Sequence, residues 1–290
     1  MKKKGLFLAI ILASLLVFSS CASIFSGIRL QQEFKKLNID YGNKDSILRL
    51  EQGINFEYWF KEFKPIGMLM TQEEKKIAKG ILKTEDPAER SAKAEKFIKW
   101  FWERRDDNAY DEGNEFKENF YNRVVEAQTR FANQENVDKM RKCAYGTGWE
   151  TDMGMIYIAL GEPFDTARYN IQDLLSFSGG TYEYSALMPQ EIEVWYYETP
   201  EDFTTPLFSD NVAWIIFEKD SSGYWRFGET TFSLFFSYEN YYNYYSYFVT
   251  ASMSYGSYIN DVYRLIEAVA ETYIYDEDLE FDDILNERSK

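Results

Sequence analysis

The chain predicts an α+β fold, with N-terminal amphipathic helices followed by a mainly antiparallel β-sheet and then a C-terminal helix. Two observations carry this expectation. Before Gly146 apolar residues recur at helical spacing behind recognisable N-caps, and after Gly148 the period shortens toward two, with Gly and Pro turns between the runs. Helices grouped ahead of strands, without regular βαβ alternation, argue against a parallel doubly wound sheet. With 290 residues and 45% hydrophobic content, the chain can bury a substantial core.

The elements follow in order. Met1-Lys2-Lys3-Lys4 is a positive n-region, Gly5 to Phe18 is an almost unbroken apolar run, and Ser19-Ser20-Cys21 is a small-residue cleavage zone, so residues 1–20 read as an export signal. The run is too short for a spanning helix, which needs roughly 20 apolar residues. Residues 21–45 are polar and weakly patterned, and read as a tether. A helical region spans 46–145. Thr71 and Glu74 are spaced as a capping box, with Ile77, Ile81 and Leu82 on one face behind it. A second start is Asp86-Pro87-Ala88-Glu89, with Asp86 as N-cap and Glu89 closing its box, ahead of Phe97, Ile98, Phe101 and Trp102. A third helix runs from about Asn114 to Ala132, striped by Phe116, Phe120, Val124, Ala127 and Phe131. Trp59, Trp100 and Trp102 are expected in the core.

The β-rich region covers 146–235. Met153 to Leu160, Ile192 to Tyr197, Val212 to Phe217 and Tyr224 to Glu229 read as strands, with turns at Gly161-Glu162-Pro163 and Ser221-Ser222-Gly223. Phe164 to Gln190 is expected to be a long excursion between strands, hence a place to look for a site. A Tyr-rich segment occupies 236–257. Tyr258 to Tyr273 predicts a helix with Val262, Leu265, Ile266 and Val269 inward, before an acidic tail to residue 290. In that tail Asp276, Asp278, Glu280, Asp282 and Glu287 partly imitate a calcium loop, but Phe281 stands where glycine is needed, which favours a solvated acidic end.

Composition narrows function. The chain has no histidine, so no Ser-His-Asp triad, Cys-His dyad or His-ligated zinc exists in it. Any catalysis would rest on Asp, Glu, Lys, Tyr or Ser. The net charge of -16 becomes -19 once Lys2, Lys3 and Lys4 leave with the leader. Such a surface disfavours nucleic acid and anionic lipid headgroups alike. Cys21 sits where a bacterial lipoprotein signal places its lipidated cysteine, and Val17-Phe18-Ser19-Ser20-Cys21 resembles a lipobox, with Phe18 where an aliphatic residue is usual. Lipid on Cys21 would then provide the membrane contact and leave Cys143, the other cysteine, without an intramolecular partner. The alternative is ordinary secretion with cleavage after Ala22, since Ser20-Cys21-Ala22 imitates an A-x-A site.

At Gly148-Trp149-Glu150-Thr151-Asp152 the chain resembles the GWxTD domain family of bacterial envelope-associated proteins. Flanking segments extend the resemblance: Phe101-Trp102-Glu103-Arg104-Arg105-Asp106; Asn114-Glu115 with Arg123, Ala127 and Phe131; Tyr157 through Gly161-Glu162-Pro163; and Glu193-Val194-Trp195-Tyr196-Tyr197. It covers roughly residues 70–235. Asp107, where the family often has Pro, and Phe164, interposed before Asp165, depart from the pattern. The resemblance implies a cell-envelope location and no established activity. With Ala22 after the lipid cysteine, resemblance to other lipoproteins leans toward the outer membrane, with the body facing the periplasm.

Two readings of the motif remain open at this level. In the structural one, Gly148 supplies a positive-φ turn, Trp149 anchors it, and Thr151 or Asp152 bonds backbone amides ahead of a strand. In the functional one, Glu150, Asp152, Glu162 and Asp165 gather as a carboxylate cluster able to bind calcium or serve a glycosidase. Arg104, Arg105, Asp106, Glu115 and Arg123 are expected to pair across the second and third helices, the alternative being that the same arginines bind an anionic ligand. The run Tyr238 to Phe248 offers Tyr241, Tyr242, Tyr244 and Tyr245 as a glycan- or protein-binding surface, or alternatively one packed helical face. The leading expectation is a non-catalytic lipoprotein that binds another envelope protein, with no cofactor and no metal. Glycan or peptidoglycan binding and a carboxylate-dependent hydrolase are the alternatives.

Overall fold

The computed structural model describes residues 39–52, 55–106, 113–132, 148–170, 191–201, 203, 205, 211–219, 225–228, 255–276 and 280–282. Two units divide the chain, Met1–Asp40 and Tyr41–Lys290, and the helices and strands below belong to the second. The fold is α+β, with helices first, a four-stranded antiparallel sheet, and a C-terminal helix.

Four short elements precede the helices that the periodicity predicts. They are α1 (Lys44–Leu48), a 3-10 turn at Arg49–Glu51, α2 (Phe56–Lys61) and α3 (Lys64–Leu69). Each is too short to display a full amphipathic repeat, which is why the sequence shows no individual helix start before Thr71. Asn43, at the end of the expected tether, caps α1 by accepting from the Asp45 and Ser46 amides. Tyr41 already packs against Phe63 and Trp149.

The longer helices start where local chemistry says they should. α4 (Gln72–Leu82) opens on both halves of the capping box, with Thr71 N donating to Glu74 at 2.8 Å and Glu74 N to Thr71 Oγ1 at 3.3 Å. In α5 (Pro87–Glu103) Asp86 accepts from Ala88 and Glu89, while the Glu89 carboxylate pairs with Lys93 one turn on instead of closing a box. α6 (Glu115–Phe131) is capped by Asn114 on the Lys117 amide. Of its expected stripe, Phe120, Val124, Ala127 and Phe131 are buried and Phe116 is half-buried, while Trp59, Trp100 and Trp102 are buried as expected.

One expected strand is a helix. Met153 to Leu160 lies in α7 (Asp152–Leu160), which follows a 3-10 turn at Gly148–Glu150. Every residue from Met153 to Ala159 is buried. A helix surrounded by protein shows no 3.6 period, and a short apolar run cannot be told from a buried strand by pattern alone. Two local features decide for helix: Thr151 accepts from Gly154 N at 2.9 Å as N-cap, and Gly161 (φ +84°) ends the element in a conformation open to glycine.

The sheet has the order β1-β2-β3-β4, with β1 at Asp165–Asn170, β2 at Glu191–Glu198, β3 at Val212–Lys219 and β4 at Trp225–Phe227. β1 occupies the start of the expected excursion. It is an exposed edge strand of mixed polar composition, and its register runs from Asp165 opposite Tyr196 to Asn170 opposite Glu191. β2 and β3 pair along their full length, from Glu191 opposite Lys219 to Glu198 opposite Val212. Trp195 and Phe217 turn one face of the sheet toward α6, where Phe131 meets Trp195 with centroids 5.9 Å apart.

α8 (Tyr255–Thr272) buries Tyr258, Val262, Leu265, Ile266 and Ala270. The Tyr258 hydroxyl accepts from Ile216 N at 2.7 Å, tying this helix to β3. The chain then returns to α5, where Tyr275 N and Asp276 N donate to Arg104 O. Phe281 is buried against Phe97 and Trp100, so this point of the expected solvated tail is anchored. Asp278 and Glu287 lie outside the described residues. Among the described residues, no helix is long and apolar enough to cross a membrane.

Candidate functional site

The GWxTD pentapeptide sits at the seam between the helices and the sheet, and each of its motif residues is committed to that seam. Gly148 is required for space, not for a positive φ: a Cβ there would lie 1.9 Å from Ala127 O and 2.7 Å from Gln128 Cα. Its amide donates to Gln128 Oε1 at 2.7 Å, which fixes the turn against α6. Trp149 is buried between Phe63 and Tyr41, with centroids 5.3 and 5.5 Å away. The Tyr41 hydroxyl bonds that of Tyr58 at 2.6 Å, and burial first, then the neighbouring Tyr58, pushes Tyr41 far above the ordinary phenol range.

Thr151 works in both directions. Its hydroxyl donates to Gly148 O at 2.7 Å and accepts from Gly154 N, so it closes the 3-10 turn and opens α7 at once. Thr151→Ala is expected to cost about 1 kcal/mol, the usual loss for an N-cap hydroxyl, read as a lower urea midpoint with unchanged slope. Asp152 Oδ2 accepts from Phe227 N at 3.0 Å, so the first residue of α7 holds the backbone of β4. Its charge also lies at the favourable end of the helix dipole. Asp152→Ala is expected to lose about 1.5–3 kcal/mol, the range for a hydrogen bond to a charged group, checked by the same unfolding measurement.

Asp152, Glu162 and Asp165, three of the carboxylates of the functional reading, are each turned to other partners. Asp152 and Glu162 flank opposite ends of the nine-residue α7, about 13 Å of helix apart, beyond the roughly 5–9.5 Å that a glycosidase pair uses. Glu162 is held bidentately by Arg130, with oxygens at 2.5 and 3.0 Å. Asp165 accepts from Thr166 N at 2.8 Å. Among the described residues, no group of three or more Cys, Asp or Glu is placed to hold a metal ion. Gly161 and half-buried Pro163 carry the chain from α7 to β1, and the Tyr197 hydroxyl donates to Gly161 O at 3.1 Å.

Arg130 lowers the pKa of Glu162, first through those hydrogen bonds, against an opposing effect of burial, with the Arg130 charge adding a smaller lowering. A carboxylate whose folded value lies below the ordinary 4.5 adds stability that is full above that value and fades as pH falls through the lowered one. Both side chains are solvent-exposed, so the contribution is under about 1 kcal/mol. Unfolding curves of wild type and Glu162→Gln should therefore separate slightly at neutral pH and converge in acid.

The arginines do not make the expected pairs with Glu115. Arg105 is fully buried and bidentate on Glu74, at 2.7 and 2.9 Å, with further bonds to Phe101 O and Leu69 O, and Arg104 reaches Glu74 at 3.4 Å. The network therefore joins α5 to the start of α4, because the capping box already turns Glu74 inward. Glu51, which the sequence did not single out, accepts from Trp102 Nε1, Lys117 Nζ and the Tyr121 hydroxyl at 2.6, 2.6 and 2.5 Å. No local signal marks it, since its partners lie 51 to 70 residues away. Cys21, Tyr241, Tyr242, Tyr244 and Tyr245 lie outside the described residues.

Fold and seam together define an α+β module in which a Gly-Trp-x-Thr-Asp turn locks helices to a sheet. Residues 68–210 match the family model of the GWxTD domain, and the chain is a GWxTD domain-containing protein. The match is shorter at its C-terminal end than the 70–235 expected. No curated protein and no solved structure shows significant similarity to the chain. Tyr41, Phe63 and Phe227, which the motif grips, all lie outside the matched span.

Proposed function

We propose that this protein is an envelope lipoprotein, exported by residues 1–20 and anchored through lipid on Cys21, whose body docks another envelope protein and performs no chemistry. The observation that carries the non-catalytic reading is the commitment of the motif to architecture. Thr151 bonds Gly148 and Gly154, Asp152 bonds Phe227, and Trp149 fills the core. A motif built this way preserves a shape, and a preserved shape serves recognition. Support for the location comes from the leader and from Ala22 following Cys21, which favours the outer membrane with the body in the periplasm. The acidic chain argues against nucleic acid as the partner.

The test is crosslinking in living cells, followed by affinity purification of the tagged full-length protein and mass spectrometry. A recurrent stoichiometric envelope protein is the expected result, and recovery of none would contradict the reading. Glycan binding keeps one observation in its favour: Phe164 and Tyr169 expose rings along the β1 edge, with Tyr196 beside Phe164. Sugar retention that survives Phe164→Ser with Tyr169→Ser would remove it.

A further inference from the structure

On the outer side of the seam, α6 presents Arg123, Glu126 and Arg130 toward the Gly161-Glu162 turn and toward Tyr157 and Tyr197. The acids here are taken. Glu162 is gripped by Arg130, and Glu126 accepts from the Tyr157 hydroxyl. Burial first, and then that bond, pushes Tyr157 up to about 12, so it remains a neutral donor to Glu126. Arg123 differs from its neighbours. It is half-buried, its Nε is sealed from water with no acceptor, and among the described residues no carboxylate or carbonyl meets its guanidinium. Its Nη1 lies against Gly161, 3.3 Å from where a Cβ would stand, so a side chain at 161 would crowd the guanidinium by a few tenths of an ångström.

Burying Nε without a partner costs free energy, and the Nη groups, which unlike Nε are not sealed from solvent, would meet a planar acceptor supplied from outside in fork geometry. The full chain carries a net charge of -16, which opposes a dianion such as a phosphate monoester more strongly than a monoanion. A carboxylate on an otherwise neutral or basic segment matches both the local cation and the overall field.

We propose that Arg123, at the Gly161 turn, is a receptor for a single carboxylate presented by a peptide segment of the docked protein. This rests on the docking reading above. Arg123 binds the carboxylate, Arg130 adds positive potential behind it, and Glu162 and Glu126 bound the site and exclude a second negative charge.

The test is a titration of the full chain in detergent micelles, labelled with nitrogen-15. The signals followed are Arg123 Nε–Hε and the Gly161 amide. The probes are acetyl-Ala-Ala-Ala with a free carboxylate, the same peptide as its amide, and acetyl-Ala-Glu-Ala amide. Saturable shifts with either carboxylate peptide and none with the neutral amide are expected, and the pair distinguishes a chain terminus from an acidic side chain. Arg123→Lys should weaken binding at least tenfold, because the fork is lost. Glu162→Gln should strengthen it, since a neighbouring negative charge is gone. Equal shifts with the neutral amide, no saturable shift, or wild-type affinity in Arg123→Lys would each overturn the assignment. The titration uses no cellular partner, so its failure is separable from failure to recover one by crosslinking.

Discussion

Glu74→Ala is expected to destabilise the protein by about 3–5 kcal/mol, among the largest effects of any single substitution, because it strands Arg105 as an unpaired buried charge. The Arg105 fork spends its donors on Glu74, Phe101 O and Leu69 O, and its guanidinium lies 4.0 Å over the Phe101 ring. Removing Glu74 also opens the capping box of α4 and takes an acceptor from Arg104. Urea unfolding should show a much lower midpoint with the same slope. Replacing both members, Glu74→Met with Arg105→Met, should recover a large part of the loss, since paired removal leaves no bare charge. A double variant no more stable than Glu74→Ala would mean the ion pair is not what the single substitution breaks.

Gly148→Ala is expected to cost about 3 kcal/mol or more. The added methyl would stand 1.9 Å from Ala127 O and 2.5 Å from Ala127 C, and these are backbone atoms that cannot swing aside. The turn would have to lift from α6, which loosens the Gln128 bond and shifts Trp149 at the same stroke. Thermal unfolding measures this. Tyr41 and Trp149 should also lose contact, visible as a change in tryptophan fluorescence before global unfolding. A wild-type melting temperature would show that the turn has slack the packing denies. Gly154 is subject to the same constraint, since a Cβ there would lie 1.9 Å from Gly148 O.

What was legible in the sequence was local. Thr71 with Glu74, Asp86 with Pro87, and Asn114 announce helix starts because a cap is a contract between residues two or three apart. Strands β2 and β3 were legible because their alternating and aromatic runs are long enough to show a period. α7 reads as a strand in the sequence because burial on all sides erases its period, and its decisive cap, Thr151, is equally suited to a turn ahead of a strand. Gly148 stands out in the sequence as a turn glycine, but what the structure demands there is space beside Ala127, not dihedral freedom. Long-range partners carried no sequence signal. Asp152 meets Phe227 across 75 residues, and Glu74 meets Arg105 across 31. Arg123 was placed in a structural network, and only the structure shows that Glu115 does not face it while Gly161 does.

If the motif joins the helices to the sheet through Asp152, amide hydrogen exchange at Phe227 reports the joint. In wild type the Phe227 amide should exchange as slowly as its β3–β4 neighbours, and in Asp152→Ala it should accelerate while the β2–β3 amides from Val194 to Ile216 hold their protection. Unchanged exchange at Phe227 in the variant would contradict the claim, since the bond that defines the seam would then be holding nothing.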